Sequence, residues 1–265
     1  MSELAAYVDG ISVIGPGLAD WPAAAAVLAG RLKYAPGPVV VTVPAALPPA
    51  ERRRVGRVTK LAIAVGLDAC GRAGLDPATL ATVFTSSSGD GDNYHAICET
   101  LATTMRQLSP TRFHNSVHNA SAGYWSIATG AMAPSTVLCA YDASFAAGLI
   151  EALAQVVTSH APVLLIAYDS AYPQPLHAKR PMLDGLAIAI VLAPTRGEHS
   201  LARLAAALVD APADHCDLPA LEAVRTQIPA GRGLPLLARI ARRQAGAVAI
   251  EYLGDGCLCT TVEPC

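Results

Sequence analysis

Two runs set the strongest limit on what this chain can fold into. They are Val163-Leu164-Leu165-Ile166-Ala167-Tyr168 and Leu186-Ala187-Ile188-Ala189-Ile190-Val191-Leu192. Neither alternates apolar with polar residues, so neither leaves one face of a strand to water. Strands of this kind are covered on both sides, usually by helices. The rest of the chain supplies covering helices and further strands. Strands are expected over 7–14, 39–43, 81–86, 136–140, 163–168 and 184–192. Helices are expected from near Asp20, over 50–73, from the Gly89-Asp90-Gly91-Asp92 loop to about Gln107, over 143–158 and over 234–243. The spacing of Ile97, Leu101, Met105 and Leu108 supports the third of these. Gly15-Pro16-Gly17 and Leu47-Pro48-Pro49 punctuate the first half, and Gly254-Asp255-Gly256 reads as a hairpin turn between strands at 247–253 and 257–262. The pattern is that of an α/β chain with a largely parallel, doubly covered sheet.

Composition narrows the function. At 265 residues, 52% hydrophobic and 15% charged, the chain can bury a large core as one domain or one domain with an appendage. A net charge of −2 gives no electrostatic reason to expect nucleic acid or an anionic membrane, and Arg52-Arg53-Arg54 is short enough to be a solvated helix start. No apolar run reaches the roughly 18 residues of a membrane span. Glu3 and Asp9 with no basic segment argue against a secretory leader. Seven scattered cysteines read as reduced thiols of a cytoplasmic protein. Cys257 and Cys259 would share one strand face, and with Cys216 and Cys265 they raise a zinc reading that lacks an assigned third ligand, so no metal is expected. Gly89-x-Gly91 is too short for a dinucleotide fingerprint, and Ser86-Ser87-Ser88 lacks the Gly-x-Ser-x-Gly elbow of a serine hydrolase.

The stretch from Phe113 through His114-Asn115-Ser116-Val117-His118-Asn119-Ala120-Ser121-Ala122-Gly123-Tyr124-Trp125, followed by Ala133-Pro134-Ser135-Thr136-Val137-Leu138-Cys139-Ala140-Tyr141-Asp142-Ala143-Ser144, resembles the core of the beta-ketoacyl synthases. The resemblance implies a thiolase-like layered fold: a synthase-like N-terminal domain over 1–195, and a short C-terminal segment over 196–265 with a helix and β-hairpin packed on the same core. It also implies a sharp turn that presents an acyl-accepting cysteine at a helix start. Counted from Thr136, that position holds Asp142. A carboxylate forms no thioester, and its ordinary role at a helix start is to cap it. Cys139 falls three residues early, inside the expected strand, where a thiol is packing. Ser144 falls two residues late and would need a base within reach. His114 and His118, four apart, are the available imidazoles, with a structural role at a pocket rim or subunit interface as the reading preferred over catalysis. The two histidines of a synthase's second half have no counterpart, since His199 and His215 lie in no matching loop.

The chain looks most like the short ketosynthase-like proteins of aryl polyene and related pigment and fatty acid pathways, which resemble chain-length factors. What this implies is a catalytically silent subunit without cofactor. Its expected partners are a catalytic ketosynthase in a heterodimer, or a second copy in a homodimer, and an acyl carrier protein. Arg52, Arg53, Arg54 and Arg57 would offer the acidic carrier a docking patch. The strand 136–140 would pair across a two-fold, with Tyr124, Trp125, Thr136, Leu138, Tyr141 and Phe145 at the interface or tunnel. Two further readings stay open: an acyl transferase or hydrolase using Ser144 or Cys139, and a homodimeric acyl-binding module.

Overall fold

The computed structural model describes residues 4–265. In chain order the elements are β1 (Leu4–Ile14), α1 (Trp21–Leu28), α2 (Pro49–Arg54), α3 (Arg57–Ala73), β2 (Ala81–Thr85), α4 (Gly91–Ala102), α5 (Pro110–His114), α6 (Ala120–Thr129), β3 (Ser135–Leu138) and α7 (Ser144–Ser159). The second half adds β4 (Val163–Asp169), α8 (Leu176–Lys179), β5 (Leu186–Ala193), β6 (Ala202–Val209), α9 (Pro219–Gln227), α10 (Leu234–Ala241), β7 (Gly246–Glu251) and β8 (Cys257–Pro264). All eight strands form one sheet in the order β3-β2-β4-β5-β1-β6-β8-β7.

Every residue of β4 and β5 is buried, as their unbroken apolar runs require. The pleat then sorts their side chains. Leu164, Ile166, Ala187, Ala189 and Val191 join α3 and α6 in one core layer. Leu165, Ile188, Ile190 and Leu192 join α1, α7, α9 and α10 in the other. This second layer draws on residues from Ala6 to Val262, so the C-terminal strands extend the same sheet and its helices cover the same face.

The largely parallel sheet expected from sequence is corrected. Only β2 with β3 and β2 with β4 run parallel, and the other pairings are antiparallel. An unbroken apolar run reports two covered faces and carries no information about direction. A parallel neighbour needs a crossover of a dozen residues or more, usually through a helix. Between β4 and β5 the chain carries only the four-residue α8, and it returns antiparallel.

Three local expectations also change. Residues 39–43 form an extended strap rather than a strand. Pro36, Pro38 and Pro44 remove ladder donors, and the Val39 N–H goes instead to Asp184 Oδ2 at 2.8 Å. The helix expected over 50–73 breaks into α2 and α3, with Val55 and Gly56 in extended backbone; glycine is a poor helix former, and a Cβ at 56 would collide with the Asp90 carboxylate. The helix expected to reach Gln107 ends at Ala102, and Leu101 and Met105 stand exposed. Strand β6 and helix α9 were not foreseen. β6 buries only alternate residues, so it lacks the continuous run that marks β4 and β5.

Candidate functional site

Strand β3 ends at Leu138, and a 3-10 turn over Tyr141–Ala143 leads straight into α7. Tyr141 adopts φ 53°, a left-handed conformation uncommon outside glycine. Ser144 holds the turn closed. Its hydroxyl donates to the Tyr141 carbonyl at 2.7 Å and accepts from the Ala140 N–H at 3.1 Å. Beneath, Thr85 Oγ1 donates to the Ser144 carbonyl at 2.8 Å. This is a sharp strand-to-helix elbow with the open end of a sixteen-residue helix behind it, a geometry that favours negative charge.

Asp142 sits on that elbow, yet it is not the helix cap that sequence suggested. It accepts from Arg180 Nη2 at 2.5 Å. The Arg180 guanidinium carbon lies 3.7 Å from the centroid of the Tyr141 ring and 6.0 Å from that of Tyr172. The arginine arrives from the segment between β4 and β5, 38 positions away, which is why no local pattern announced it. Ser144 closes the turn ahead of the helix, and α7 itself starts after Ala143 without a side-chain cap.

Other candidates take definite places. Cys139 lies past the end of β3 and is exposed, rather than packed inside the strand, and its thiol donates to the Ser87 carbonyl at 3.0 Å. The Ser144 hydroxyl is buried and engaged on both sides by backbone. His114 is exposed and meets Tyr124 edge-on at 6.3 Å. His118 faces the Gly89 turn. Neither imidazole is hydrogen-bonded to Ser144 or to Cys139. Among the residues expected at an interface or tunnel, Tyr124, Trp125 and Phe145 are interior. Tyr124 donates to Asn115 Oδ1 at 3.0 Å, Trp125 packs edge-on to Phe84, and Phe145 lies so tight on Gly233 that a Cβ there would enter the ring. Thr136 and Leu138 are half-buried on β3, and Tyr141 is 59% exposed.

A buried carboxylate beside the Ser86-Ser87 run has no local signal in the sequence. Asp169, at the end of β4 and 1% exposed, accepts from the Ser87 N–H at 2.8 Å, Ser87 Oγ at 2.7 Å, Ser86 Oγ at 3.2 Å and the Ala230 N–H at 2.9 Å. Burial pushes its carboxyl up to about 6, with the hydrogen bonds from Ser87, Ala230 and Ser86 pulling the other way. The serine run noticed in the sequence therefore serves as a donor set that ties β2 and β4 to the Pro229–Gly233 turn.

The basic run is partly spent. Arg52 turns inward to the carbonyls of Leu47 and Ala45, both at 2.6 Å. Arg54 pairs with Glu51 and Arg57 with Asp184. Arg53 stays exposed and, with Arg112, lines an open groove of about 440 Å³ that also carries Asp90 and Asp92. Among the described residues no three His, Cys, Asp or Glu side chains come together as a metal site, and burial pushes the Cys216 thiol up to about 12. No helix among them is long and apolar enough to cross a membrane.

No curated protein matches the sequence. Among solved structures, 97% of this chain is similar to 99% of a chain from the complex of the ketosynthase ApeO with its chain length factor ApeC from Xenorhabdus doucetiae, at TM-score 0.74 and 24% identity. The ishigamide ketosynthase/chain length factor is similar over 98% of this chain and 99% of its own, at TM-score 0.73 and 14% identity. The type II polyketide complex AntDE:AntF, of an acyl-carrier protein with its ketosynthase, is similar over the full length of both chains, at TM-score 0.73 and 11% identity. At these identities the likeness is one of fold, and it is the thiolase-like fold of ketosynthases. The model of the beta-ketoacyl synthase N-terminal domain matches residues 21–247, well past residue 195, and the chain belongs to that family.

Proposed function

We propose that the chain is a non-catalytic ketosynthase-like subunit of the chain-length-factor type, which pairs with a catalytic ketosynthase in polyketide, aryl polyene or fatty acid assembly. The observation that carries this reading is Asp142: the elbow keeps its shape, but the position of the nucleophile holds a carboxylate paired with Arg180, whose guanidinium stacks on Tyr141. A thioester needs a thiolate at that point, and the engaged hydroxyl of Ser144 does not replace it. Edge strand β3, bonded among the described residues only to β2, supplies a surface on which a partner's strand can add. The similar solved complexes of ketosynthases with chain length factors support the same reading. An acyl carrier protein would meet Arg53 and Arg112, a narrower basic patch than the four arginines of the sequence suggested.

Co-expression with a catalytic ketosynthase of the same host, followed by native mass measurement, tests the pairing. A one-to-one heterodimer is expected. A pure homodimer would move the weight to an acyl-binding module. Incubation with an activated acyl thioester should leave the mass unchanged, whereas an acyl adduct on Cys139 or Ser144 would favour a transferase or hydrolase.

A further inference from the structure

Between the start of α3, the turn that opens α4 and the loop entering α6 lies a small cavity of about 10 Å³. Its polar lining comes from Thr59, Asp90, Asn115, His118, Ser121 and Tyr168. Most of these groups have partners. Thr59 and Ser121 share a hydroxyl–hydroxyl bond of 2.9 Å, and Ser121 also bonds the Tyr168 hydroxyl, so three hydroxyl hydrogens serve two bonds and one is left to donate. Asp90 Oδ1 accepts from the Asn93 N–H at 3.0 Å as the cap of α4, and burial raises its carboxyl. Asn115 Nδ2 donates to the Arg54 carbonyl at 2.9 Å and its Oδ1 accepts from Tyr124. His118 is the exception. Its Nε2 is shielded from solvent and has no hydrogen-bond partner among the described residues, while its Nδ1 edge lies toward Gly89.

A buried imidazole nitrogen on a residue that lines a polar cavity needs something to bond. The volume excludes an organic ligand, because it is about that of one water probe. The lining excludes an empty apolar void, because a carboxylate, an imidazole and several hydroxyls border it. Lining residues Asp90 and His118 fall short of the three ligating groups a metal site requires. We propose that this cavity is the site of a single structural water, bound to His118 Nε2 and bridging it to the Asp90 carboxylate and the Thr59–Ser121 hydroxyl pair. The water joins three segments that share no strand: the start of α3, the Gly89–Asp90 turn and the loop at 115–120. It thereby holds the base of α4 against α3 and the loop entering α6. The same α4 and α5 region exposes Leu101, Met105 and Phe113, so the water fixes the seat of that apolar surface without touching it.

A crystal structure of the full chain at a resolution that shows ordered solvent tests this directly. One peak is expected within about 3.2 Å of His118 Nε2 and of at least two further polar atoms. A dry cavity, or an imidazole turned so that Nε2 bonds a protein atom, would overturn the proposal. Hydrogen exchange on His118→Phe supplies a second reading. The phenyl ring fills the space without bonding water, so amide exchange over 91–102 should rise about tenfold or more, with β4 and β5 unchanged. Unaltered exchange in α4 would count against a bridging role.

Discussion

At one end of the eight-stranded sheet β3 stops after four residues, and at the other end β7 is met by a single residue standing in for a strand. The Thr82 N–H bonds the Pro134 carbonyl and the Ser86 N–H bonds the Leu138 carbonyl. Alternation then leaves the backbone groups of Ser135 and Val137 facing outward. Around that edge Met132 and Tyr141 are exposed, at 94% and 59%. At β7, Asp214 donates its N–H to the Ala249 carbonyl at 2.8 Å and accepts the Ala249 N–H on its carboxylate at 2.7 Å. Glu251, at the end of the same strand, is engaged by Arg225 and Arg232. Sheet edges that must stay single are blunted by charge or cover. The contrast teaches that one edge is closed within the chain while the other is left with its donors and acceptors on offer.

The sharpest way to break that comparison is Val137→Pro. Proline removes one outward N–H and leaves the bonds to β2 in place, so the chain should stay folded while its affinity for a ketosynthase partner drops about 100-fold, roughly 3 kcal/mol. Titration of the labelled chain against the partner reads this, and an unchanged affinity would remove β3 from the interface.

Asp169 ties the Ser86-Ser87 segment after β2 to the Pro229–Gly233 turn and serves as a reference that favours neither edge. Its carboxyl rises from the ordinary 3.8 to about 6 in the folded chain, so the native state holds the proton more tightly than the unfolded one. Stability should therefore fall as pH rises from about 4 to about 6, by up to roughly 3 kcal/mol. Urea melts across that range should show the slope, and Asp169→Asn should flatten it.

Asp214→Ala is the converse of the proline substitution. It loses the side-chain bond to Ala249 and reopens β7, with an expected cost of about 1–2 kcal/mol and a new concentration-dependent self-association visible by sedimentation. Retained monomer behaviour at high concentration would mean that β7 needs no cover. The smallest effect belongs to Asp142→Asn. Its carboxylate is 49% exposed, and pairs of that kind contribute less than about 1 kcal/mol. Melting should barely move, and partner binding should be kept.

Much of the scaffold was legible because strand burial writes itself into the chain directly. The runs at 163–168 and 186–192, the hairpin glycines and the Pro-x-Thr entry to the elbow all lie where the sequence put them. Direction was not legible, since β5 has the same apolar run whether it lies parallel or antiparallel to β4. The site was legible only as a position. Asp142 could be named from its spacing, but its partner Arg180 and the Asp169 network connect residues 38 to 83 positions apart, and no window along the chain contains them. The strap at 39–43 misled because β-branched residues and prolines favour extended backbone with or without a neighbouring strand.

The position of β1 has a consequence for synthesis. The first strand of the chain lies between β5 and β6, and Tyr7 pairs with Ala193 on one side and Arg203 on the other. On a ribosome producing roughly 5–20 residues per second, this eleven-residue strand leaves the exit tunnel on the order of ten seconds or more before either partner exists. Until then its apolar residues have no sheet to enter. The nascent chain should engage a holding chaperone early and release it only once β6 has emerged. Truncations ending before residue 186 should aggregate, because they lack both neighbours of their own first strand.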